Sequence, residues 1–212
     1  MKIMAVSGSP VKNSNVDRTV QAIMEATGLE GDFIKLSRYN IKPCLACLKC
    51  AKDNYCVQKD DYSGTLEGML KEADALIIGS YPTFASPDAG TKTFCERTYS
   101  LRHNQFLTRG KLAVGVAGGY KANQQVEDWL KLFFKAQGMD LVGTMQTCGN
   151  TTCLSCGFGE TCSISNVKIV FGENIAIEEG MFKDFDQDPE LRDQAEKLGK
   201  SLRAKLEAQR TV

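Results

Sequence analysis

Two uninterrupted apolar runs, DALIIGS at 74–80 and KLAVGVAGG at 111–119, restrict the fold of this chain more than any other feature. A strand with one face in water alternates polar and apolar residues, whereas a continuous apolar run is typical of a strand covered on both faces. Three further strand candidates lie at 2–7, 31–36 and 140–147. Segments with helical spacing of apolar residues lie between and after these strands, at 15–27, 87–101, 123–137 and 189–209.

Strands that alternate with helices predict a parallel sheet with helices on both faces, and five strands predict a doubly wound, flavodoxin-like α/β order. Asn15 is the predicted N-cap of the first helix, and Ser86, Pro87 and Asp88 are the predicted start of the helix after the third strand. We expect residues 1–212 to form one domain, with two cysteine-rich inserts at 44–56 and 148–162.

The composition excludes several classes of protein. With 212 residues, 42% of them hydrophobic, the chain can bury an ordinary core without disulfide staples. It has neither a signal-peptide pattern nor an apolar stretch near the roughly 18 residues of a membrane span, so we expect a cytoplasmic protein without membrane contact. Basic and acidic residues balance at 26 each, which disfavours a nucleic-acid partner.

The loop after the first strand, SGSPVKNSN at 7–15, is a candidate anion site. Its serine and asparagine side chains and backbone N–H groups precede a helix N-terminus, where phosphates bind readily. A polar turn with a helix cap is the alternative interpretation. The chain contains neither the glycine fingerprint of dinucleotide-binding folds nor a P-loop, so an ATPase is disfavoured.

Three segments carry a resemblance to a known family. SGSPVKNSN resembles the phosphate loop of the NADPH-dependent FMN reductases, whose usual form is GSPRKNSNT, with Val11 in place of the arginine. YPTFASPDAGTKTFCER at 81–97 resembles the family's loop along the flavin ring, and VAGGYKANQ at 116–124 resembles its loop at the pyrimidine side.

The resemblance implies bound FMN rather than FAD. It carries over a set of cofactor-binding residues drawn from these three loops, which are Ser7, Ser9, Pro10, Asn13, Ser14, Asn15, Pro82, Thr83, Phe84, Ala85, Ser86, Gly118, Gly119 and Tyr120.

The run CLACLKCAKDNYC holds four thiols, which we call the first cysteine set: Cys44, Cys47, Cys50 and Cys56. Four-thiolate zinc sites generally use two C-x-x-C pairs separated by a longer loop. Three cysteines in x2 succession favour instead a 4Fe–4S cluster, with zinc or reactive thiols as alternatives. This compact motif also resembles the cysteine motif of the iron–sulfur flavoproteins, a branch of the FMN reductase family. The resemblance implies that these four residues are cluster ligands.

The run CGNTTCLSCGFGETC holds the second cysteine set: Cys148, Cys153, Cys156 and Cys162. The plain family pattern does not explain it. A second iron–sulfur cluster, a structural zinc, and disulfides or free thiols are all open interpretations. In a 2-1-3-4-5 strand order the two sets follow opposite edge strands, so we expect them to lie far apart. The ninth cysteine, Cys95, is predicted to be a core residue.

These observations favour an oxidoreductase that passes electrons between NAD(P)H or a reduced carrier such as ferredoxin and an acceptor, through cluster and flavin. No acid–base or nucleophilic residues stand out, so catalytic side chains are not assigned. The resemblance also implies a homodimer or homotetramer in which the cluster of one subunit approaches the flavin of another. A non-enzymatic flavodoxin/ferredoxin-like carrier, a zinc-stabilised FMN reductase and a redox sensor are the alternatives.

Overall fold

A computed structural model describes residues 1–211, and its backbone follows the predicted alternation. In chain order the strands are β1 (Lys2–Ser7), β2 (Glu30–Lys35), β3 (Ala75–Ser80), β4 (Pro82–Thr83), β5 (Ser86–Pro87), β6 (Leu112–Gly118) and β7 (Asp140–Thr147). The α-helices are α1 (Asn15–Ala26), α2 (Glu67–Glu72), α3 (Ala89–Arg97), α4 (Asn123–Ala136), α5 (Asn166–Phe171) and α6 (Pro189–Arg210).

Five strands form one parallel sheet in the order β2-β1-β3-β6-β7, which is the flavodoxin-like order predicted from the sequence. The two central apolar runs are buried along their whole length as β3 and β6. Because their side chains point alternately to both faces, each face of the sheet carries a separate core.

The two cores are built by different helices. On one face α2, α3 and α4 contribute residues such as Leu70, Phe94 and Phe134. On the other face α1 and α6 pack together and contribute residues such as Ile23 and Leu202. Cys95 is buried in the first of these cores, as predicted. Within residues 1–211 no helix is long and apolar enough to span a membrane.

Two predicted helix starts were wrong by one or two residues. Ser14, not Asn15, caps α1, because the Ser14 hydroxyl accepts the Asp17 N–H while the Asp17 carboxylate accepts the Ser14 N–H. Asp88 caps α3 and accepts the Thr91 N–H at 2.8 Å. Ser86 and Pro87 instead form β5, which pairs with β4 in a short antiparallel hairpin. The helices α2 and α5 were not predicted. Six residues give α5 too little periodicity to detect, and α2 continues a π-helical turn at Tyr62–Leu66, which interrupts the 3.6-residue period.

Candidate functional site

Three loops meet at the carboxyl edge of the sheet, where ligands of doubly wound folds bind. The phosphate loop (8–14) follows β1, the hairpin loop (81–88) follows β3, and the glycine loop (119–122) follows β6. Since β1, β3 and β6 are neighbours in the sheet, their three loops are neighbours as well. The segments that the sequence linked to one cofactor are therefore brought together.

Two glycines allow these loops to touch. A Cβ on Gly8 would overlap with the side chains of Asp88 and Thr91 at the start of α3, and a Cβ on Gly119 would overlap with the Pro82 ring. Backbone approaches this close require glycine. The phosphate loop thus packs on the hairpin loop, and the hairpin loop packs on the glycine loop.

The phosphate loop ends at the N-terminus of α1, which is twelve residues long. The first N–H groups of a helix lack partners within the helix and attract anions. Asn13 is exposed and holds a left-handed backbone conformation with φ of 51°. Both features suit a loop that wraps one phosphate group.

A buried ion pair supports this loop from below. Lys35 Nζ lies 2.5 Å from an Asp17 carboxylate oxygen and donates to the Val11 carbonyl at 2.7 Å. The Ser7 hydroxyl donates to the other Asp17 oxygen at 2.6 Å. Because Lys35 neutralises Asp17, the carboxylate does not repel an anion bound above it. Sequence reasoning missed Lys35, although a lysine at the carboxyl end of an apolar strand was the available signal.

The predicted phosphate-loop residues do not all face the same way. The Ser7 and Ser14 hydroxyls are engaged by Asp17, and Ser9 is buried while Pro10 is exposed. The Asn15 amide donates to the Lys183 carbonyl and its oxygen accepts the Phe185 N–H, so it ties α1 to the segment before α6. Asn13 therefore offers the most accessible side-chain amide of this set.

The hairpin loop carries its aromatic residue at its tip. Phe84 and Ala85 have φ of 51° and 56°, a conformation that costs non-glycine residues about 1–2 kcal/mol each. The Phe84 side chain is fully exposed. The Thr83 hydroxyl, in contrast, is buried without a partner among residues 1–211. Backbone strain, an exposed aromatic ring and an unpartnered hydroxyl together suit a loop that contacts a flat, polar-edged ligand.

The glycine loop is held by Asn123, which the sequence did not single out. Its amide donates to the Gly119 carbonyl at 3.1 Å and to the Thr147 carbonyl at 3.4 Å. Its Oδ1 is buried and has no partner in the described chain. Tyr120 is half-buried beneath the Lys121 ammonium, 5.0 Å from the ring centre. Unpartnered polar groups beside Gly119 and in the hairpin loop fit the edge of a flavin.

The first cysteine set forms a second candidate site, in the segment after β2. Its four thiols line one cavity of about 270 Å³, several times the roughly 30 Å³ that one water occupies. Cys44 and Cys47 are exposed, whereas Cys50 and Cys56 are half-buried. Ala46 and Leu48 have positive φ, which bends the loop around its thiols. Backbone turned in this way forms the anion-binding concavities found at many iron–sulfur sites.

The pKa of Cys50 is affected by its burial and by the other three thiols of this set. Burial raises the pKa of Cys50, and the neighbouring Cys56, Cys44 and Cys47 raise it further. Within the described part of the chain, no three acidic, histidine or cysteine side chains converge closely enough to hold a single metal ion. Four thiols around a cavity of this size fit a cluster of several atoms better than they fit one zinc ion.

Buried charges surround Cys56. The Arg97 guanidinium forms an ion pair with Asp60, and both side chains are inaccessible to solvent. Burial opposes ionisation of Asp60, but hydrogen bonds from Arg97 and from nearby backbone hold its pKa below the ordinary value. Both Glu67 carboxylate oxygens accept the Cys56 N–H, at 3.0 and 3.2 Å. Sequence reasoning missed these three residues because nothing in their spacing indicates that they meet.

The second cysteine set follows β7, at the opposite edge of the sheet from β2, as predicted. Its thiols have separate surroundings. Burial raises the pKa of Cys148, whereas the Asn166 N–H lowers the pKa of Cys153. Cys156 is exposed and Cys162 is half-buried. The loop begins next to the glycine loop, which is one of the three candidate flavin-binding loops and is called with the other two the flavin candidate. A Cβ on Gly149 would overlap with the Gly119 backbone.

A larger, open groove of about 920 Å³ lies between α1 and the start of α6. Its lining mixes cations such as Arg18 and Arg192 with anions such as Glu25 and Asp193. Asn13 is its single contact with the candidate residues named above. The groove therefore offers neither a charge preference nor redox chemistry.

Comparison with known families identifies the family to which the chain belongs. Residues 1–150 match the model of the family described as NADPH-dependent FMN reductase. The matched region contains all three flavin loops and the first cysteine set, but only Cys148 of the second set.

Curated relatives carry a more specific name. An iron–sulfur flavoprotein of Methanosarcina thermophila is 29% identical over 162 residues, covering 72% of this chain and 82% of that protein. An iron–sulfur flavoprotein of Methanocaldococcus jannaschii is 33% identical over 149 residues, covering 68% of this chain and 76% of that protein.

Solved structures agree on the fold. An archaeal flavodoxin superposes with a TM-score of 0.54 at 14% identity, covering 98% of this chain and 99% of that chain. An NADH:FMN oxidoreductase superposes with a TM-score of 0.57 at 16% identity, covering 96% and 89%. At this level of identity the likeness concerns the backbone architecture.

Proposed function

The chain belongs to the iron–sulfur flavoprotein branch of the NADPH-dependent FMN reductase family, and from this premise we propose its specific redox function. It is an FMN-dependent oxidoreductase that takes electrons from NAD(P)H or from a reduced carrier protein and passes them to an acceptor. A 4Fe–4S cluster held by the first cysteine set is its second redox group. When bound, the cluster transfers single electrons and FMN stores one or two.

One observation carries the proposal: four thiols line one cavity in the segment after β2, next to the strands whose loops form the flavin candidate. The cysteine segment follows β2, and the hairpin loop follows the central strand β3, two positions along the sheet. Neighbouring strands of a sheet lie about 4.8 Å apart, so these two strands are separated by roughly 10 Å. The chain thus offers a thiolate site and a phosphate site on adjacent segments of one fold.

The residues of the flavin candidate have distinct roles in this proposal. The α1 N-terminus and Asn13 bind the phosphate, while Lys35 keeps the Asp17 charge from opposing it. The hairpin loop covers the ring with Phe84, and Asn123 fixes the glycine loop at the ring edge. A single phosphate site without a dinucleotide fingerprint favours FMN over FAD.

Quantifying iron, acid-labile sulfide, zinc and flavin in anaerobically purified protein tests the cofactor content. We expect about four irons and four sulfides at the first cysteine set, with one flavin per chain. Acid-released flavin should migrate as FMN. Recovery of FAD, or of zinc without sulfide, would refute the corresponding part of the proposal.

Replacing Asn13 tests the phosphate site. Asn13→Ala should weaken FMN binding by about 1–3 kcal/mol, because a charge-assisted hydrogen bond is lost. Val11→Ala alters an exposed apolar side chain of the same loop and should leave the FMN dissociation constant unchanged. Ser14→Ala is a poorer probe, since it also removes the cap of α1. Equal affinity of Asn13→Ala and wild-type protein for FMN would contradict the assignment.

A non-enzymatic electron carrier is the second candidate function. Leu45, Leu48 and Tyr99 line the cysteine cavity and are 70%, 58% and 42% exposed, an apolar rim that suits a protein partner such as ferredoxin. Steady oxidation of NADPH or NADH by the purified protein separates the two. Turnover with NAD(P)H, or with reduced ferredoxin and a small-molecule acceptor, supports the enzyme, whereas electron exchange between proteins without reduction of any small acceptor supports the carrier.

Two further proposals rest on the sequence. The second cysteine set is proposed to hold another iron–sulfur cluster or a zinc ion. The homodimer or homotetramer implied by the family resemblance is likewise a proposal, for which the molar mass in solution is the test.

A further inference from the structure

A buried arginine reaches the sulfur of a proposed cluster ligand. Arg97, the last residue of α3, donates from Nη2 to Cys56 Sγ at 3.2 Å and lines the cysteine cavity. Its side chain is inaccessible to solvent, and its Nε–H has no partner in the described chain. A buried guanidinium with one N–H group still unpartnered, beside four thiols, is suited to an anionic group in that cavity.

The same arginine fixes the cysteine loop at both ends. Its Nη1 donates to the Lys42 carbonyl at 2.8 Å, two residues before Cys44. Its ion-pair partner Asp60 accepts the Lys42 N–H at 2.9 Å and the Tyr62 N–H at 3.2 Å. The guanidinium also lies over the Tyr62 ring, 4.7 Å from its centre. A rigid planar donor is therefore held in one orientation against Cys56.

A carboxylate acts on the same cysteine from the backbone side. Glu67 is fully buried, accepts the Cys56 N–H and accepts the hydroxyl proton of Ser100. Cys56 thus lies between a cationic donor at its sulfur and an anion at its N–H. Reduction adds one negative charge to a cluster, so a hydrogen-bond donor at a ligand sulfur favours the reduced state and a nearby anion disfavours it. The charge of Arg97 is balanced by Asp60, so its effect comes from the hydrogen bond to Cys56 Sγ.

We propose that Arg97 is a positioning residue for the cluster ligand Cys56 and raises the reduction potential of the cluster, while Glu67 lowers it. The inference rests on the proposed function, because it requires a cluster at the first cysteine set. The chain would then tune the cluster through hydrogen bonds and charge as well as through its four ligands.

Two conservative variants in the anaerobic holoprotein test the proposal. Arg97→Lys keeps a cation for Asp60, but one ammonium cannot serve Asp60, Lys42 and Cys56 together. Glu67→Gln keeps an acceptor for the Cys56 N–H and removes the charge. Arg102→Lys changes an exposed arginine five residues further on and is the matched control.

Spectroelectrochemical titration of the cluster is the readout. We expect its midpoint potential to shift downward in Arg97→Lys, upward in Glu67→Gln, and not at all in Arg102→Lys. The FMN content should stay at one per chain in all three variants. Unchanged cluster potentials, or shifts of the same sign in both variants, would overturn the proposal.

Iron and sulfide content keeps the proposal testable when a variant assembles poorly. Loss of the cluster from Arg97→Lys, with FMN content and circular dichroism unchanged, would support the positioning role, and Glu67→Gln would then decide the electrostatic role. Loss of FMN and of the folded spectrum as well would reduce Arg97 to a fold-stabilising residue and overturn the positioning claim. Wild-type protein without iron and sulfide would instead refute the proposed function itself.

Discussion

The two cysteine sets contain the same number of thiols in segments of similar length, yet the fold treats them differently. The first set lines a common cavity, and three of its thiols act on the pKa of the fourth. In the second set, Cys148 responds to burial and Cys153 to a backbone N–H. The thiols of the first set therefore share one cavity, whereas Cys148 and Cys153 of the second set have different surroundings.

Long-range buried contacts account for this difference. Asn54 is buried within the first loop, donates to the carbonyls of Ser100 and Gln105, and accepts the Gln105 N–H. In the second loop Asn150 makes an analogous pair of bonds with the Lys183 backbone, but it is exposed. The sequence spacing places four thiols in each loop, and in the first loop buried contacts with the rest of the chain hold the loop in position.

The largest expected contrast is in metal content. Cys47→Ser should remove about four irons and four sulfides per chain, because a cubane that loses a thiolate corner is no longer retained. FMN should stay bound, since the phosphate loop belongs to a different segment. Elemental analysis of anaerobic protein is the measurement, and unchanged iron would reject the ligand assignment.

Cys153→Ser is the matching change in the second loop. It should leave the first cluster intact and remove only metal in excess of it, as extra iron or as about one zinc per chain. If wild-type protein holds no excess metal and iodoacetamide alkylates all four thiols of the second set, that set is not a metal centre.

An intermediate contrast is expected from the two asparagines. Asn54→Ala should lower the free energy of unfolding by about 2–3 kcal/mol, because it removes a buried hydrogen bond to the Ser100 carbonyl and two partly buried bonds to the Gln105 backbone. Asn150→Ala should cost about 0.5 kcal/mol or less, as exposed substitutions do. Chemical denaturation of both variants measures the difference.

The same pair of variants should differ in metal retention. A chelator should strip iron faster from Asn54→Ala than from the wild type, and at the wild-type rate from Asn150→Ala. Because Asn54 has φ of 51°, Asn54→Gly separates the lost hydrogen bonds from backbone strain. Equal rates in all variants would show that Asn54 does not organise the first loop.

The smallest expected effects are changes in the free energy of unfolding, and they have opposite signs in the two loops. Ala46 has φ of 49° in the first loop, and Gly157 has φ of 80° in the second. Ala46→Gly should raise the free energy of unfolding by about 0.5–1 kcal/mol, and Gly157→Ala should lower it by about 1 kcal/mol. Thermal unfolding of metal-free protein checks both, and shifts of the same sign would contradict the backbone explanation.

Much of the fold was predictable from local pattern. The continuous apolar runs identified β3 and β6, and the order of strands and helices predicted the parallel sheet. The α6 helix was visible from its periodicity and from Pro189 at its start. The starts of α1 and α3 were placed less well, because Ser14, Asn15, Ser86 and Asp88 are all good capping residues and only the backbone path selects among them.

The sequence by itself determined the sheet, the positions of the two cysteine sets and the resemblance that implies FMN, because these depend on residues close together in the chain. The tertiary structure alone decided that Arg97 and Glu67 meet at Cys56, that Lys35 neutralises Asp17, and that the two cysteine sets differ in organisation. These partners are up to 41 residues apart, and nothing in a single sequence indicates that they will be in contact. They pair because folding excludes water from both, and a buried charge is stable only beside a partner that the packing of the whole chain supplies.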